Sequence, residues 1–134
     1  MRAIQRIMVD NAPHAVAPYS HAVKAGDFVF VTGQMPIDPN TNDYVREDVA
    51  KQTRRVLENL RTVLGTCGCH FYDVVSARVF LTDMRDFDTV NTIYASYFEG
   101  SLPARTCVAV TGLAGGADIE IDLIAYQPDP TPRS

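Results

Sequence analysis

Two stretches of the chain repeat apolar residues with the period of an α-helix. Between positions 48 and 67 the apolar residues fall at offsets of 7, 8, 11, 14 and 15 from the first, which defines one helix face. They are Val49, Val56, Leu57, Leu60, Val63 and Leu64. Charged residues occupy the opposite face, and Gly68 is a typical helix stop. The stripe from Phe87 to Phe98 predicts a second helix, which Gly100 and Pro103 terminate.

Six shorter runs of β-branched and aromatic residues predict β-strands. They span residues 4–9, 21–25, 28–34, 74–82, 105–110 and 119–126. Gly26 and Asp27 separate the second and third runs, which predicts a hairpin turn. The element order is then β-β-β-α-β-α-β-β. We expect an α+β fold with a single mixed β-sheet and two helices packed on one face.

The strand runs alternate between an apolar face and a mixed face. In the last run, Ile119, Ile121, Leu123 and Ala125 share one side, and Glu120, Asp122, Ile124 and Tyr126 share the other. In the run 74–82, Val75, Ala77, Val79 and Leu81 oppose Val74, Ser76, Arg78 and Phe80. Two helices cover only one face of the sheet, so the second face leaves large apolar groups beside charges. Such a patch marks an interface, and we expect a homo-oligomer with a polar pocket near the subunit boundary.

Composition limits the classes of protein to consider. The 134 residues are 46% hydrophobic and suit one domain, with a body over about residues 3–127 and a proline-rich tail over 128–134. No apolar run approaches the ~20 residues that span a bilayer. Asp10 interrupts the N-terminal segment before a signal-like stretch develops, so we expect a cytoplasmic protein without a membrane partner. The formal charge, 12 − 16 = −4, and the lack of a basic cluster argue against nucleic acid as a partner.

Cysteine and glycine motifs offer little cofactor chemistry. Cys67-Gly68-Cys69-His70 resembles part of a metal site, but no second Cys/His pair supplies the four ligands that zinc prefers. The alternative is a set of small residues at a helix end, with reduced thiols. The glycines in 111–116 lack the strand-to-helix context of a nucleotide-binding loop. We expect neither a metal nor an organic cofactor.

Four residues near the last two strands are candidates for chemistry. Arg105, at the start of a strand, suits bidentate binding of a carboxylate, or else it pairs with a neighbouring acid on the surface. Cys107 lies on the same strand face and is either a nucleophile or a small buried thiol. Glu120 and Asp122 share one face of the last strand, where either acts as a base if partly buried or simply faces solvent.

Two loops near the N-terminal strands carry further candidates. Tyr19 follows the stiff residue Pro18 and either orients a ligand or caps the core. Thr32 and Gly33 close the third strand with a hydroxyl group and a glycine that allows close backbone approach, as in a site loop or an ordinary strand end. His21 lies nearby, but exposed histidines are common and it has no predictable partner.

Several segments taken together resemble the RidA (YjgF-like) family in order and spacing. They are Asn11-Ala12-Pro13, Ala17-Pro18-Tyr19-Ser20, Val31-Thr32-Gly33-Gln34-Met35-Pro36, Asp48-Val49-Ala50-Lys51-Gln52-Thr53, Val79-Phe80-Leu81-Thr82-Asp83-Met84, Val90-Asn91, Pro103-Ala104-Arg105-Thr106-Cys107-Val108 and Ile119-Glu120-Ile121. The set covers about residues 3–126 and is specific as a combination. The resemblance implies a chorismate-mutase-like α+β domain that forms a homotrimer with clefts between the subunits.

The resemblance also implies an activity. The best-known family members hydrolyse enamines and imines such as 2-aminoacrylate, 2-iminopropionate and 2-iminobutanoate to 2-oxo acids and ammonia, without a cofactor. The residues implied to bind substrate are Tyr19, Thr32, Gly33, Arg105 and Cys107. By the same resemblance Arg105 pairs with the substrate carboxylate, Glu120 holds or activates the attacking water, and the backbone at Cys107 helps to bind the imine nitrogen. The chain is therefore expected to be a deaminase of the 2-iminobutanoate/2-iminopropanoate type.

Three positions depart from the family pattern. Ala17 replaces the usual glycine before Pro-Tyr, His21 replaces a frequent glutamine, and Thr32 replaces the usual serine. Thr32 keeps the hydroxyl group but adds a methyl group, which predicts a smaller pocket or a shifted substrate range.

Other functions fit the same resemblance. One is a non-catalytic trimer that binds small ligands or regulates proteins, since similar proteins have been labelled translation inhibitors or chaperone-like factors. Another is a pathway-specific deaminase, which differs only in its substrate. A third label, ribonuclease, conflicts with the acidic charge of the chain.

Overall fold

The structure, a computed structural model, describes residues 4–128 of the chain. The α-helices are α1 (Val49–Thr66) and α2 (Phe87–Phe98). The strands are β1 (Ile4–Ile7), β2 (Ala22–Ala25), β3 (Phe28–Gln34), β4 (Val74–Leu81), β5 (Ala104–Ala109) and β6 (Ile119–Tyr126). The described strands form one sheet in the order β1-β2-β3-β6-β4-β5, with β4 and β5 parallel and the other neighbours antiparallel. The predicted mixed sheet with two helices is confirmed.

Capping groups set the ends of α1 where the sequence predicts them. The side chain of Asp48 accepts a hydrogen bond from the Lys51 backbone N–H at 2.9 Å, which satisfies one free donor of the first turn. At the other end Gly68 has a φ of 78°, a left-handed conformation that glycine adopts without strain. This turn lets the Cys69 N–H donate to the Leu64 carbonyl at 2.8 Å. The glycine between the two cysteines therefore ends the helix.

The core lies between the sheet and the two helices. The inward residues of β6 are at most 2% exposed, as their alternation predicts. They are Ile119, Ile121, Leu123 and Ala125. From the helices, Leu57 and Leu60 of α1 and Phe98 of α2 pack into the same cluster. Burying each such side chain stabilises the fold by about 1.5–3 kcal/mol. The backbone of β6 is therefore held firmly, and its outward residues start from a fixed position.

The alternation predicted for β4 was wrong at its first two residues. Val75 was expected on the core face, but it is 43% exposed, whereas Val74 is 5% exposed. The register between β4 and β6 shifts between Val74 and Ser76, which marks a β-bulge. An extra residue in one strand reverses the facing of the residues on one side of it. From Ser76 onward the predicted faces are observed.

His21 is also different from the exposed, unpartnered histidine that the sequence suggests. The side chain of His21 is 3% exposed. Its Nδ1 accepts a hydrogen bond from the Val9 backbone N–H at 2.8 Å. In this tautomer Nε2 carries the proton and donates to the Pro13 carbonyl at 2.8 Å. Because Val9 donates to this side chain and not to a strand, β1 ends at Ile7 and does not reach residue 9. The bonds to His21 fix the loop that carries Tyr19.

Both chain ends are described only in part. Residues 1–3 and positions 129–134 of the proline-rich tail lie outside the described residues. The last described contacts are made by Gln127, whose Nε2 donates to the Cys67 carbonyl at 2.6 Å and whose own carbonyl accepts from Lys24 Nζ at 2.6 Å. Within residues 4–128, neither helix has the length and apolar composition needed to cross a membrane.

Candidate functional site

The Glu120 carboxylate lies directly against the backbone of β3. The register between β3 and β6 shifts between Val31 and Gln34, so Thr32 and Gly33 leave the ladder at this point. The Glu120 carboxylate fills the space that a Cβ on residue 33 would occupy, and its Cδ lies 2.8 Å from that position. Only glycine therefore allows the carboxylate to sit here. The close approach that the sequence predicts at Gly33 is the approach of the Glu120 carboxylate to the β3 backbone.

An open cavity of about 670 Å³ lies on the sheet face that the helices leave uncovered. Its lining includes Tyr19, Thr32 and Gly33 from the N-terminal half and the Arg78–Asp122 ion pair from β4 and β6. Arg78 Nη2 and Asp122 Oδ2 are 2.6 Å apart, and Arg78 Nε makes a second bond to Asp122 Oδ1 at 3.0 Å. The cavity therefore combines a paired charge with hydroxyl groups and apolar walls, which suits a small polar ligand.

The surroundings of Glu120 make its carboxylate a stronger base than an exposed glutamate. Burial raises its pKa most, the neighbouring negative charge of Asp122 raises it further, and Arg78 lowers it. A carboxylate with a raised pKa accepts a proton more readily at neutral pH. Of the two candidate acids on this strand, Asp122 is held in the ion pair with Arg78. Glu120 is thus the carboxylate available for proton transfer.

Tyr44 belongs to the same region, and the sequence argument did not find it. Burial raises the pKa of its phenol most, and the charges of Tyr19 and Glu120 raise it as well, while Arg46 lowers it. Tyr19 is uncharged at neutral pH, so Glu120 is the predicted site residue whose charge acts on this phenol there. Tyr44 lies in the loop between β3 and α1, where no periodic pattern signals which way a side chain faces.

Arg105 lies on the other face of the sheet. In the parallel pairing it stands opposite Ala77, which is 2% exposed and faces the core. The guanidinium carbon lies 4.9 Å from the ring centroid of Tyr94 and 5.7 Å from that of Phe87, both on α2. Contact of a guanidinium with aromatic rings is favourable. It leaves free the N–H donors, which lie in the plane of the guanidinium group. Within residues 4–128 no carboxylate pairs with Arg105, and the two aromatic rings orient its guanidinium.

Cys107 also faces the helix side, and its thiol packs against the core. Burial raises the pKa of the thiol, and Arg105 lowers it by a smaller amount. A thiol with a raised pKa is a poor nucleophile at neutral pH. The Cys107 side chain is partly buried against the core, and its role stays a prediction.

The backbone of β5 is open along its outer edge, because β5 is the last strand of the described sheet. The Val110 N–H donates to the Leu81 carbonyl of β4 at 2.8 Å. Backbone groups alternate along a strand, so Thr106 and Val108 also direct theirs to β4, and Arg105 and Cys107 direct theirs outward. The free N–H and C=O of Cys107 are available to a ligand at this edge.

The sequence predicts the helix α2 but does not show that two of its aromatic rings, Phe87 and Tyr94, lie beside Arg105. Phe87 is 37% exposed, and the buried Tyr94 hydroxyl and Asn91 Oδ1 have no hydrogen-bond partner within residues 4–128. Burial raises the pKa of Tyr94 to about 12, so its hydroxyl stays protonated. Residues 87, 91 and 94 follow helical spacing, but only the pairing of β4 with β5 shows that this face meets Arg105.

The predicted site residues thus form two groups in one chain. Tyr19, Thr32 and Gly33 line the cavity on the uncovered face, and the Glu120 carboxylate lies against Gly33. Arg105 and Cys107 lie at the edge of the sheet beside α2. The charges that shift the pKa of Glu120 are Asp122 and Arg78 and do not include Arg105. The individual catalytic and binding roles stay predictions.

The Cys67-Gly68-Cys69-His70 motif shows no metal-binding geometry. Both cysteines are free, and burial raises the pKa of Cys69 to about 11. The His70 ring stacks on Tyr72, with centroids 4.8 Å apart. Within residues 4–128 no three His, Cys, Asp or Glu side chains come together as a metal site would require. That the protein works without a cofactor stays a prediction.

The chain is similar to known proteins over most of its length. A RutC family protein from Pyrococcus horikoshii is 47% identical over 121 residues, which cover 90% of this chain and 96% of the relative. A 2-iminobutanoate/2-iminopropanoate deaminase from Mus musculus is 42% identical over 121 residues, which cover 90% of each protein.

Structural comparison points the same way. The crystal structure of a protein of the conserved Rid family from Yersinia pestis aligns with a TM-score of 0.89 and 42% identity, covering 92% of this chain and 99% of that one. The family described as Endoribonuclease L-PSP matches residues 9–127. The resemblance noted in the sequence is confirmed by these matches, and the chain belongs to the RidA (YjgF-like) family, also described as endoribonuclease L-PSP.

Proposed function

We propose that this protein is a hydrolytic deaminase of reactive 2-enamino and 2-imino acids, such as 2-aminoacrylate, 2-iminopropionate and 2-iminobutanoate. The products are the 2-oxo acid and ammonia. The observation that carries the proposal is the Glu120 carboxylate, half-buried against Gly33 beside an open cavity, with its pKa raised by burial. The name of the mouse relative supports the same chemistry.

The reaction needs one positioned water and one group that moves protons. An enamine substrate first takes up a proton on carbon and gives up one from nitrogen, which converts it to the imine. Glu120 then removes a proton from water as the oxygen attacks the imine carbon, and the C=N double bond becomes a single bond. The Glu120 carboxyl passes this proton to the nitrogen, which gives a carbinolamine. The hydroxyl proton then moves to the nitrogen by way of Glu120 as the C–N bond breaks, so that ammonia leaves and a C=O bond remains. Because the imine carbon is already electrophilic, orientation and proton transfer are sufficient.

The substrate carboxylate must also be held in place, and Arg105 supplies that contact. Its guanidinium is stacked on Tyr94 and Phe87 and presents a planar set of donors that matches a carboxylate. The free backbone groups of Cys107 on the same edge suit the imine nitrogen. These contacts orient the substrate but do not reach Glu120 in the same chain, because the sheet lies between them.

We therefore propose a homotrimer in which each site combines Arg105 and Cys107 of one protomer with Glu120, Tyr19 and Thr32 of its neighbour. The uncovered face carries exposed apolar side chains that a monomer would leave in water. They are Phe28, Phe30, Val108 and Tyr126. Burying this face against a second copy removes them from solvent and closes the cavity over the substrate.

The first experiment measures the activity directly. Imines are generated in situ from alanine and 2-aminobutyrate by an amino-acid oxidase, and their loss is followed with wild-type protein and with Arg105→Ala. Acceleration by the wild type alone, with the variant assembled normally, supports the deaminase. A correctly assembled wild type that gives no acceleration overturns it. Carboxylic acids that bind at Arg105 without turnover would then favour the non-catalytic trimer.

A mixing experiment tests the shared site. Arg105→Ala and Glu120→Gln, each expected to be inactive alone, are coexpressed with different tags in equal amounts. In a cyclic trimer with random assembly, about a quarter of the wild-type activity returns, because one site in each mixed trimer has both intact residues. If both residues of a site came from one chain, no activity would return.

RNA incubated with the same preparations tests the family's ribonuclease label. That label requires RNA cleavage that persists after repurification of the protein and is abolished in Glu120→Gln.

A further inference from the structure

The cavity beside Gly33 continues along the outward face of β6. Asp122 and Ile124 both line it, and residues two apart on a strand lie about 7 Å from each other. In the sheet Arg78 stands opposite Asp122, and Phe30 stands opposite Ile124 on the other neighbouring strand. The cavity therefore extends from Gly33 past the Arg78–Asp122 ion pair to an apolar end at Phe30 and Ile124.

The cavity is larger than the smallest proposed substrates require. 2-Iminopropionate carries only a methyl group as its side chain, whereas a cavity of about 670 Å³ is in the range that holds drug-sized ligands. The space along β6 beyond Asp122 is therefore available to a longer substrate side chain. Phe30 and Ile124 offer that side chain apolar contacts at the far end.

The ion pair supplies the charged part of the cavity lining. Within residues 4–128, Arg78 and Asp122 are the two charged residues that line the cavity. Arg78 Nη2 lies 2.6 Å from Asp122 Oδ2, and Arg78 Nε donates to Asp122 Oδ1 at 3.0 Å, so the pair is bidentate. Because the two charges balance, the pair offers no net attraction to a second anion.

Glu120 adds a negative charge on the same face of β6. It precedes Asp122 by one outward position of the strand, and the charge of Asp122 contributes to raising its pKa. A carboxylate on a substrate side chain in this cavity meets two fixed negative charges and one positive charge. The cavity therefore disfavours an acidic side chain and accepts an uncharged one.

We propose that the Arg78–Asp122 ion pair determines which side chains the enzyme accepts: 2-imino acids with long, uncharged side chains enter the cavity, and those with acidic side chains are rejected. The inference rests on the proposed deaminase function. Asp122 sets the preference, because without its charge Arg78 presents an unpaired guanidinium, which binds carboxylates well. The substrate carboxylate itself stays with Arg105.

Two substrates of similar length test the preference in the wild-type protein. The imines of methionine and glutamate are generated in situ by amino-acid oxidases matched to each, and kcat/KM is compared with that for 2-iminopropionate. We expect the methionine imine to exceed 2-iminopropionate about fivefold or more, because it adds apolar contacts. The glutamate imine should fall about tenfold or more below the methionine imine. Equal values for these two imines overturn the inference, as does a methionine imine no better than 2-iminopropionate.

The variant Asp122→Asn tests the assigned residue, because the amide keeps the size and a hydrogen-bond acceptor for Arg78 and removes the charge. We expect the ratio of kcat/KM for the glutamate imine to that for the methionine imine to rise about tenfold or more. The ratio is measured because loss of the Asp122 charge also removes one cause of the raised pKa of Glu120, which changes the rate for every substrate. The matched control is Asp83→Asn, whose carboxylate is also 2.6 Å from its partner Arg85 but lies outside the cavity lining, and it should leave the ratio unchanged.

A second variant, Arg78→Gln, shifts the same ratio in the opposite direction. The Arg78 side chain is 64% exposed, so the substitution should not prevent folding. Removing the positive charge leaves Asp122 and Glu120 to repel an acidic side chain, and the ratio should fall about threefold or more. An unchanged ratio in a normally assembled Asp122→Asn or Arg78→Gln protein overturns the inference. Failure of the proposed function is distinct, because the wild type would then turn over none of the three imines.

Discussion

The Glu120 region and the Arg105 region place opposite charges in different environments. Glu120 lies on the central strand β6, half-buried against Gly33, and burial is the main cause of its raised pKa. Arg105 lies on the edge strand β5 and keeps its charge in contact with two aromatic rings of α2. A base gains from partial desolvation, whereas a carboxylate-binding cation needs open donors. One sheet meets both needs by using its centre for one group and its edge for the other.

The separation also explains why an oligomer matters to the proposed chemistry. A substrate as small as a three- or four-carbon imino acid cannot extend through a sheet from Arg105 to Glu120. If a neighbouring copy supplies the missing half, both regions keep their own environments and still meet at one substrate.

The largest expected effect comes from Gly33→Ala. The added Cβ displaces the Glu120 carboxylate, and kcat should fall about a hundredfold or more, the range for a lost general base. The displaced atoms are the end of a flexible side chain, so the thermal midpoint and oligomeric state should change little. Steady-state kinetics and circular dichroism melts measure both. Gly65→Ala is the control, because no atom lies within 4 Å of its added Cβ, and full activity of Gly33→Ala would break the assignment of Glu120.

Arg105→Lys tests the other region with a smaller effect. Lysine keeps the positive charge but loses the planar donor set and the stacking on two rings, so KM should rise about tenfold to thirtyfold with kcat reduced much less. Substrate titrations of initial rates give the two constants. Arg85→Lys, at an exposed arginine paired with Asp83, should leave both unchanged. An unchanged KM for Arg105→Lys would mean that the carboxylate binds elsewhere.

Phe87→Leu refines the comparison further. It removes one of the two rings under Arg105 while keeping an apolar side chain of similar bulk. Loss of one partly exposed cation–π contact should raise KM about twofold to fivefold, with kcat retained. Tyr72→Leu removes an exposed ring that is remote from Arg105 and serves as the control. A drop in kcat without a change in KM would show that the Phe87 ring serves the chemical step instead.

Glu120→Gln has a small effect on stability with a defined sign. Because the folded-state pKa of Glu120 is raised, its ionised form destabilises the folded protein at neutral pH. The neutral amide should therefore raise the free energy of unfolding at pH 7. The gain should shrink as the pH falls through the raised pKa, where the wild-type carboxyl is itself protonated. Urea unfolding at a series of pH values measures this difference, and a less stable variant at pH 7 would contradict the burial of the charge.

Much of the fold follows from local patterns. Both α-helices, the hairpin at Gly26 and Asp27 and the alternation of β6 were predicted because period and turn chemistry are written in consecutive residues. The bulge at Val74 was missed, because an extra residue in a strand is defined by its partner strand. The burial of His21 was missed for the same reason, since its partners Val9 and Pro13 lie in a loop without periodicity.

For the candidate site, too, local patterns were predictable and long-range packing was not. The sequence by itself determined the residue types, the strands that carry Arg105 and Glu120, and a family resemblance that the comparisons confirm. Only the tertiary structure decided that the two residues face opposite sides of the sheet and that Gly33 makes room for a carboxylate. Strand pairing and loop packing are long-range, and their energies depend on contacts between segments that are distant in the chain.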